Sequence, residues 1–125
     1  MMWFRRDKGL LGEKMARKYL QKKGYRLLEK RYRINGGEVD LIMKDGDCFV
    51  FVEVKYRPDG ETGEGLAAVD FGKEKRIIRA ADTYMYRRKL EGQMRYDIVE
   101  ITSEGTVHIE NAFADYDPRR DRPRR

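Results

Sequence analysis

Two neighbouring segments of the chain combine carboxylates with a lysine at short spacing. Glu38 and Asp40 lie in the run GEVDLI, and Glu53 and Lys55 lie in the run VEVK that follows. Carboxylate oxygens are hard ligands for divalent cations, and a nearby lysine stabilises negative charge on a phosphate. The pattern therefore predicts metal-assisted phosphoryl chemistry. The alternative is an ordinary cross-strand ion network in which Lys55 pairs with Glu53 and Asp40.

A β-hairpin is predicted to bring the two runs together. Residues 38–44 and 48–56 are rich in strand-forming residues and flank the turn sequence DGD at 45–47. If the first two of these turn residues form a two-residue turn, or if residues 44–47 form a four-residue one, Asp40 faces Phe51. Glu38 then lies opposite Glu53, with Asp40 on the diagonal and within reach of both.

Alternation along the hairpin separates an apolar face from a mixed face. The apolar face, predicted to be core, comprises Val39, Leu41, Met43, Cys48, Val50, Val52 and Val54. The other face carries the four ionisable residues beside Ile42, Phe49 and Phe51. A fully solvated face would not explain these large apolar side chains, so we expect part of it to be covered. Carboxylates at the edge of a covered patch repel one another and lose hydration, which favours a bound cation.

The remaining elements follow from periodicity and turn residues. A helix is predicted over residues 8–23, a strand over 25–34, a second helix over 70–89, and two strands over 94–102 and 106–113. The polar, glycine-containing residues 58–65 are predicted to be a loop. The order α-β-β-β-α-β-β predicts an α/β fold, a mixed β-sheet flanked by a helix on each face.

Length and charge limit the class of protein. A chain of 125 residues with 40% charged and 40% hydrophobic positions suits one domain, here residues 1–114, with a basic tail over 115–125 predicted to be disordered. Residues 1–33 carry a net charge of +9 and residues 34–72 carry −6. A basic segment beside an acidic one suits a polyanion-binding surface around a carboxylate site; an unevenly charged solvated surface is the alternative.

Targeting signals and cysteines also narrow the possibilities. A single cysteine cannot form an internal disulfide, and no apolar run is long enough for a membrane span. The first residues contain no apolar run that could act as a secretion signal. We therefore expect a cytoplasmic protein that does not insert into a membrane.

The ordered set of motifs resembles a known superfamily. GEVDLI and VEVK resemble the acidic and E-x-K motifs of the PD-(D/E)XK, or restriction endonuclease-like, nucleases. The whole of residues 9–113 resembles the YraN-like family and is similar to archaeal Holliday junction resolvases. The further matching pieces are Gly12-Glu13 with Ala16 and Leu20, Gly24-Tyr25, Lys73 with Arg76-Ile77, the run RYDIV at 95–99, and Asn111-Ala112-Phe113.

The resemblance implies roles for individual residues. Asp40 and Glu53 would bind Mg²⁺ or Mn²⁺ with the backbone carbonyl of Val54, and Lys55 would orient or help deprotonate the attacking water. Glu13 would complete the site directly or through water; the alternative is an ion pair with Arg17 one turn along the helix. Where the superfamily name has a proline before the first acid, this chain has Val39. Glu38 either shares this face or caps the preceding glycine turn.

Basic residues on the second helix are candidates for substrate binding. Lys73, Lys75, Arg76 and Arg79 lie within two turns and would contact phosphates, unless they form a solvated helix face. Arg95 is expected to pair structurally with Asp97. His108 has no evident partner in the sequence and is not expected to be a ligand. Trp3 and Phe4 are expected to lie in a mobile N-terminus, although they could stack on bases.

The sequence thus favours a divalent-metal-dependent endonuclease acting on DNA, with branched and damaged DNA as candidate substrates. A homodimer would suit a symmetric junction. The alternatives are a nucleic-acid-binding module of the same fold without cleavage activity, and an interaction subunit of a DNA-processing complex. The presence of Glu13, Asp40, Glu53 and Lys55 together favours catalysis.

Overall fold

The computed structural model describes residues 2–60 and 71–113, with the backbone alone for residues 2–8. Along this part of the chain the elements are α1 (Met2–Lys22), β1 (Arg26–Ile34), β2 (Gly37–Asp45), β3 (Cys48–Arg57), α2 (Phe71–Arg87), β4 (Met94–Thr102) and β5 (Gly105–Ile109). The predicted order of helices and strands is confirmed. No helix in this part of the chain combines the length and the apolar character that a membrane span requires.

The strands form one mixed sheet in which spatial order follows chain order. The order is β1-β2-β3-β4-β5, and only β3 and β4 pair in parallel. Parallel neighbours require a crossover, which the segment containing α2 provides. The central strand β3 therefore lies between the hairpin partner β2 and the crossover partner β4.

Each helix covers one face of the sheet, as predicted. Ala16 and Leu20 of α1 pack on one face with Leu41, Met43, Val50, Val52, Val99 and Ile101. Ile77, Ala81 and Tyr84 of α2 pack on the other with Ile42, Phe49, Phe51 and Tyr96. The expected cover over Ile42, Phe49 and Phe51 is therefore α2.

Two glycines allow the helices to approach the sheet closely. A Cβ at Gly12 of α1 would lie 2.5 Å from the Cβ of Tyr56, and a Cβ at Gly37 would lie 2.7 Å from the Arg76 carbonyl oxygen. Both distances are well below van der Waals contact, so a side chain at either position would push a helix away. Gly12 brings Glu13 close to β3, and Gly37 brings α2 close to β2.

The hairpin register differs from the predicted one by two residues. Asp45 pairs with Cys48 and Leu41 with Val52, so Gly46 and Asp47 form the turn. Gly46 has a φ of 58°. A positive φ at the first of two turn residues is typical of a type II′ turn and is adopted readily by glycine. The predicted pairs Asp40 with Phe51 and Glu38 with Glu53 are therefore wrong, and continuing the register places Glu53 opposite Asp40.

Val39 is the exception to the predicted faces of the hairpin. It packs in the cluster beneath α2 rather than with Leu41 and Met43 beneath α1. Leu41–Val52 is the last pair of the β2–β3 ladder, and beyond it the Val54 N–H donates to the Asp40 side chain. Beyond the end of the β2–β3 ladder, side chains of β2 no longer alternate strictly between the two faces. The prediction from strict alternation therefore placed Val39 on the wrong face.

The last strand is shorter than predicted. It ends at Ile109, whereas residues 110–113 form turns. Asn111 has a φ of 57°, which a strand cannot accommodate, and the Ala112 N–H donates to the Tyr96 carbonyl at 2.7 Å. This turn stacks Phe113 on Tyr96 with ring centroids 5.2 Å apart.

A buried polar network joins β4 and β5. Asp97 is fully buried; its carboxylate accepts hydrogen bonds from Arg95 Nε at 2.9 Å and Nη2 at 3.0 Å, and lies 2.7 Å from His108 Nε2. Lys23 Nζ lies 3.0 Å from His108 Nδ1. An ammonium can only donate, so Nδ1 accepts from Lys23 and Nε2 donates to Asp97. The expected Arg95–Asp97 pair is confirmed, and His108 has partners that the sequence did not reveal.

Some expectations concern residues outside the described ranges. They are the loop over 61–65, the start of the second helix at residue 70, and the tail over 115–125. The side chains of Trp3 and Phe4 also lie outside them, while their backbone belongs to α1.

Candidate active site

An open cleft of about 460 Å³ lies between the sheet and the first turn of α2. Its lining residues are Glu38, Glu53, Gly72, Lys73, Arg76 and Ile77. Strand β3 supplies Glu53 from the face that α2 covers. The start of α2 lies over this residue. The N-terminus of a helix carries partial positive charge, so this cleft suits an anion.

Glu53 lies at the centre of the charged residues. Its side chain is buried, and Oε1 lies 2.9 Å from Lys73 Nζ and 3.7 Å from Lys55 Nζ. Glu53 and Lys55 are two residues apart on one strand and so point to the same face. The structure thus brings the acid and the lysine of the VEVK run together with a lysine from the crossover helix.

The pKa values of the two lysines are shifted in opposite directions. Burial and the neighbouring Lys73 ammonium lower the pKa of Lys55. Burial also opposes the charge on Lys73, but its hydrogen bonds with Lys55 and Glu53 outweigh this and raise the pKa of Lys73. Lys55, with only 12% of its side chain exposed, is therefore the amine that gives up its proton more readily.

Asp40 is close to Glu53 and is anchored to the backbone of β3. Its Oδ2 accepts a hydrogen bond from the Val54 N–H at 2.8 Å. Burial and the negative charge of Glu53 raise the pKa of Asp40 to about 7, against the opposing effect of that hydrogen bond. Two carboxylates that resist simultaneous ionisation are the arrangement that a divalent cation relieves.

Glu13 approaches this pair from α1. Its negative charge contributes to the raised pKa of Asp40, which places it in the same electrostatic environment. Its own partner is Arg31 of β1, with Nε 2.6 Å from Oε1. The alternative ion pair with Arg17 is therefore wrong: α1 crosses β1 here, and the strand supplies the nearer guanidinium.

Glu38 lies at the outer edge of the cleft. Its carboxylate is 3.5 Å from Arg33 Nε and 3.6 Å from Arg76 Nη2, and 44% of its side chain is exposed. The two-residue shift in register removes it from the position opposite Glu53. Glu38 is therefore a rim residue rather than a member of the buried carboxylate pair.

The four basic residues of α2 that were predicted to bind substrate separate into two pairs. Lys73 and Arg76 line the cleft. Lys75 Nζ lies over the Phe71 ring at 4.5 Å, and Arg79 Nη1 donates to the Gly36 carbonyl at 3.4 Å. Lys73 and Arg76 are therefore the two best placed for an anion in the cleft.

The donor set suits a hard cation. Asp40 and Glu53 could bind Mg²⁺ or Mn²⁺ with the Val54 carbonyl, leaving positions for water and a phosphate oxygen. Among the described side chains, those of residues 9–60 and 71–113, no group of three or more His, Cys, Asp or Glu residues is arranged to hold a metal. The pair Asp40 and Glu53 is thus the core of the candidate site. Glu13 is instead held in its ion pair with Arg31.

Sequence reasoning missed Glu100 as a neighbour of the site. It is fully buried on β4 and is the register partner of Lys55. An acid at residue 100 inside the otherwise apolar run IVEI was the available signal. Pairing of β3 with β4, which that run does not reveal, was needed to place it.

The fold and the carboxylate–lysine cluster define a restriction endonuclease-like α/β protein. The chain belongs to the uncharacterised protein family UPF0102, whose model matches residues 12–101. It is 42% identical over 105 residues to a UPF0102 protein of Herminiimonas arsenicoxydans, covering 84% of this chain and 85% of that protein. It is 40% identical over 110 residues to one of Geobacter metallireducens, covering 84% and 90%. The YraN-like resemblance is thereby confirmed.

Proposed function

We propose that this protein is a divalent-metal-dependent nuclease that hydrolyses phosphodiester bonds in DNA, with branched or damaged DNA as candidate substrates. The observation that carries the proposal is the grouping of Asp40 and Lys55 around Glu53, which itself lines the open cleft at the start of α2. Carboxylates alone would repel a phosphate, whereas a carboxylate-bound cation next to a lysine attracts it.

Asp40 and Glu53 would hold the cation, with the Val54 carbonyl as a further oxygen donor. A bound Mg²⁺ or Mn²⁺ would polarise the phosphate and lower the pKa of a coordinated water. The Val54 N–H fixes one Asp40 oxygen, which limits the rotamers of this side chain. Preorganised ligands of this kind cost little reorganisation when substrate binds.

Lys55 would act on the attacking water. Burial and Lys73 lower the pKa of Lys55, and in its neutral form the amine would accept a proton from water as the oxygen attacks phosphorus. The bond from phosphorus to the leaving oxygen breaks in the same displacement, and the departing alkoxide takes a proton from solvent. In its protonated form, Lys55 would instead stabilise the charge on the phosphate oxygens.

Lys73, Arg76 and the first turn of α2 would bind the substrate. Lys73 Nζ lies 2.9 Å from Glu53 Oε1. A cation on Glu53 would compete with this ion pair, and Lys73 would then be close enough to reach a phosphate. Arg76, with 59% of its side chain exposed, can contact the neighbouring backbone phosphate.

The same contacts support a second candidate function, a nucleic-acid-binding module without cleavage activity. Glu53 is paired with two lysines, and Glu13 is held by Arg31. A self-neutralised network of this kind can bind phosphates through its excess cations without any metal. A cleavage assay therefore distinguishes the two candidate functions, whereas a measurement of DNA affinity does not.

The decisive experiment measures cleavage of single-stranded, duplex, flap and four-way DNA, and of the matching RNA, with Mg²⁺ or Mn²⁺. The variants are Asp40→Asn and Lys55→Met, with Lys44→Met as the matched control. Lys44 lies on β2 of the same sheet, where its Nζ contacts the Phe49 ring. Sedimentation with and without four-way DNA tests the proposed homodimer.

We expect metal-dependent cleavage by the wild type and a loss of about 10²-fold or more in Asp40→Asn and Lys55→Met, while Lys44→Met remains active. Lys55→Met should keep most of its DNA affinity, because its proposed role is in the transition state. Salt-sensitive binding without cleavage of any substrate would favour the binding module. Cleavage that survives Asp40→Asn would rule out this site.

A further inference from the structure

A second cavity of about 270 Å³ lies between α1 and β1, outside the cleft. Among the described side chains that line it, Leu10 and Leu41 are apolar and Glu13 is the one acid. Its cationic lining side chains are Lys14, Arg17, Lys30 and Arg31. Four cations and one carboxylate around a small cavity favour an anionic ligand.

Arg17 supplies a polar group without a counterpart. Its Nε is buried and, among the residues that the structure describes, has no hydrogen-bond partner. Arg31, by contrast, is paired with Glu13. A buried donor without an acceptor costs about 1–3 kcal/mol, and more when the group is charged. A ligand that draws the Arg17 guanidinium into the pocket and accepts hydrogen bonds from it would remove this cost.

The pocket adjoins the candidate active site. Leu41 follows Asp40 directly in β2, and Glu13 both lines the pocket and acts electrostatically on Asp40. Glu13 thus links the α1–β1 pocket to the carboxylate pair, although the pocket lies on the face of the sheet that α1 covers and the cleft on the face that α2 covers. A ligand that reaches both sites must carry more than one anionic group along its length, as a nucleic-acid strand does.

We propose that the α1–β1 pocket binds a second backbone phosphate of the nucleic-acid strand that occupies the candidate active site. Guanidinium groups match the geometry of phosphate oxygens, and the exposed Leu10 offers an apolar surface for the adjoining sugar or base. The inference rests on the proposed nuclease function, because that function places the strand in the cleft. In this proposal the basic residues of α1 and β1 position the nucleic-acid strand, rather than merely keeping the protein soluble.

The test compares Arg17→Met with Lys18→Met in the full chain. The two residues are consecutive in α1 and both variants lose one positive charge, but Lys18 is exposed and does not line the pocket. Affinity for a fluorescent single-stranded oligonucleotide is measured in EDTA at several salt concentrations. We expect Arg17→Met to weaken binding about three- to tenfold and to reduce the salt slope by about 1, with little change in Lys18→Met. Arg17→Lys should restore only part of the affinity, since it lacks the guanidinium.

A phosphate scan then identifies the contact. A neutral methylphosphonate replaces one backbone phosphate at a time, and each oligonucleotide is bound to wild type and Arg17→Met. At one position, the loss from Arg17→Met and the loss from the methylphosphonate should fail to add, because both remove the same contact. Equal losses in Arg17→Met and Lys18→Met, or additive losses at every position, would overturn the proposal. Inorganic phosphate that binds wild type but not Arg17→Met, without coupling in the scan, would assign the pocket to a free phosphate ester instead.

The outcome is separable from that of the nuclease assay. Cleavage by wild type with no coupling at Arg17 overturns the pocket assignment alone. Coupling at Arg17 without DNA cleavage in the presence of either metal overturns the proposed nuclease activity but supports the phosphate pocket. Thermal unfolding of Arg17→Met and Arg17→Lys verifies that both variants are folded.

Discussion

The Asp40 carboxylate accepts the backbone N–H of Val54 at 2.8 Å, at the point where the β2–β3 ladder ends. Val54 lies between Glu53 and Lys55, so the first acid of the site is fixed to the segment that carries the other two groups. A backbone donor cannot be removed by substituting the Val54 side chain. The geometry of the carboxylate pair is therefore fixed by the hairpin itself.

Asp40→Asn should change stability in a pH-dependent way. The folded-state pKa of about 7 lies above the ordinary value of 3.8, so the folded state binds this proton more tightly than the unfolded chain does. The resulting stabilisation is fully present below the unfolded pKa and is lost as pH rises through the folded pKa. The free energy of unfolding of Asp40→Asn should therefore rise by about 1–3 kcal/mol relative to that of wild type as the pH is raised from 5 to 8.

Urea unfolding at the two pH values, without divalent metal, measures this difference. Glu38→Gln is the control, because it removes a negative charge at the exposed rim of the same cleft. Addition of millimolar Mg²⁺ at pH 8 should then stabilise wild type but not Asp40→Asn. A constant difference between Asp40→Asn and wild type across pH would contradict the assigned environment of Asp40.

Arg76→Met and Lys75→Met should differ in DNA binding although they are adjacent and equally charged. Arg76 lines the cleft, whereas Lys75 packs over Phe71. Arg76→Met should reduce affinity about threefold or more and flatten its salt dependence by about one counterion, because one phosphate contact is lost. Gel-shift titrations at several salt concentrations test this, and equal behaviour of the two variants would remove Arg76 from the interface.

Gly12→Ala and Gly9→Ala should have opposite effects on stability. Alanine is favoured over glycine in a helix by about 1 kcal/mol, and at Gly9 the nearest atom to an added Cβ is 3.8 Å away. At Gly12 the added Cβ would lie 2.5 Å from Tyr56, which should cost about 1–3 kcal/mol. Denaturant unfolding measures both; a stabilised Gly12→Ala would show that α1 can shift without penalty.

Asp97→Asn should be far more costly than Asp45→Asn, although both acids pair with Arg95. Asp97 is fully buried, while 43% of the Asp45 side chain is exposed. Weakening the buried pair should cost about 2–4 kcal/mol, against about 0–1 kcal/mol for the exposed one.

The effect of Asp97→Asn should also depend on pH. Burial alone would raise the pKa of Asp97, but its hydrogen bonds with His108 and Arg95 outweigh burial and lower it. Its stabilising contribution is present above the unfolded pKa and is lost as pH falls through the lower folded value. The difference between wild type and Asp97→Asn should therefore shrink below about pH 4 in thermal or urea unfolding. A difference that persists there would mean that the carboxylate is not held ionised.

Local patterns predicted the elements because each depends on nearby residues. The spacing of Ala16 and Leu20 predicted the buried stripe of α1, and alternation placed Glu53 and Lys55 on one face. The hairpin register was missed by two residues, since DGD permits more than one turn and the sequence does not show which residue adopts the positive φ.

The partners of Glu13 and His108 depend on distant parts of the chain. Arg31 reaches Glu13 only because α1 crosses β1, and Asp97 meets His108 only because β5 returns beside β4. Spacing within the sequence pointed to Arg17 for Glu13 and to no residue for His108. Tertiary packing decides both contacts, and a single sequence does not reveal it.

The single parallel pair, β3 with β4, has a consequence for the order in which the molecule folds. Asp40 and Glu53 belong to one hairpin, which closes over a short loop, whereas Lys73 and Glu100 arrive only after the crossover has docked. We therefore expect the two acids to meet during folding before the helix that neutralises Glu53 is in place. We expect dissolved Mg²⁺ to speed refolding, because the ion would reduce the repulsion between the Asp40 and Glu53 carboxylates until Lys73 of α2 is in place.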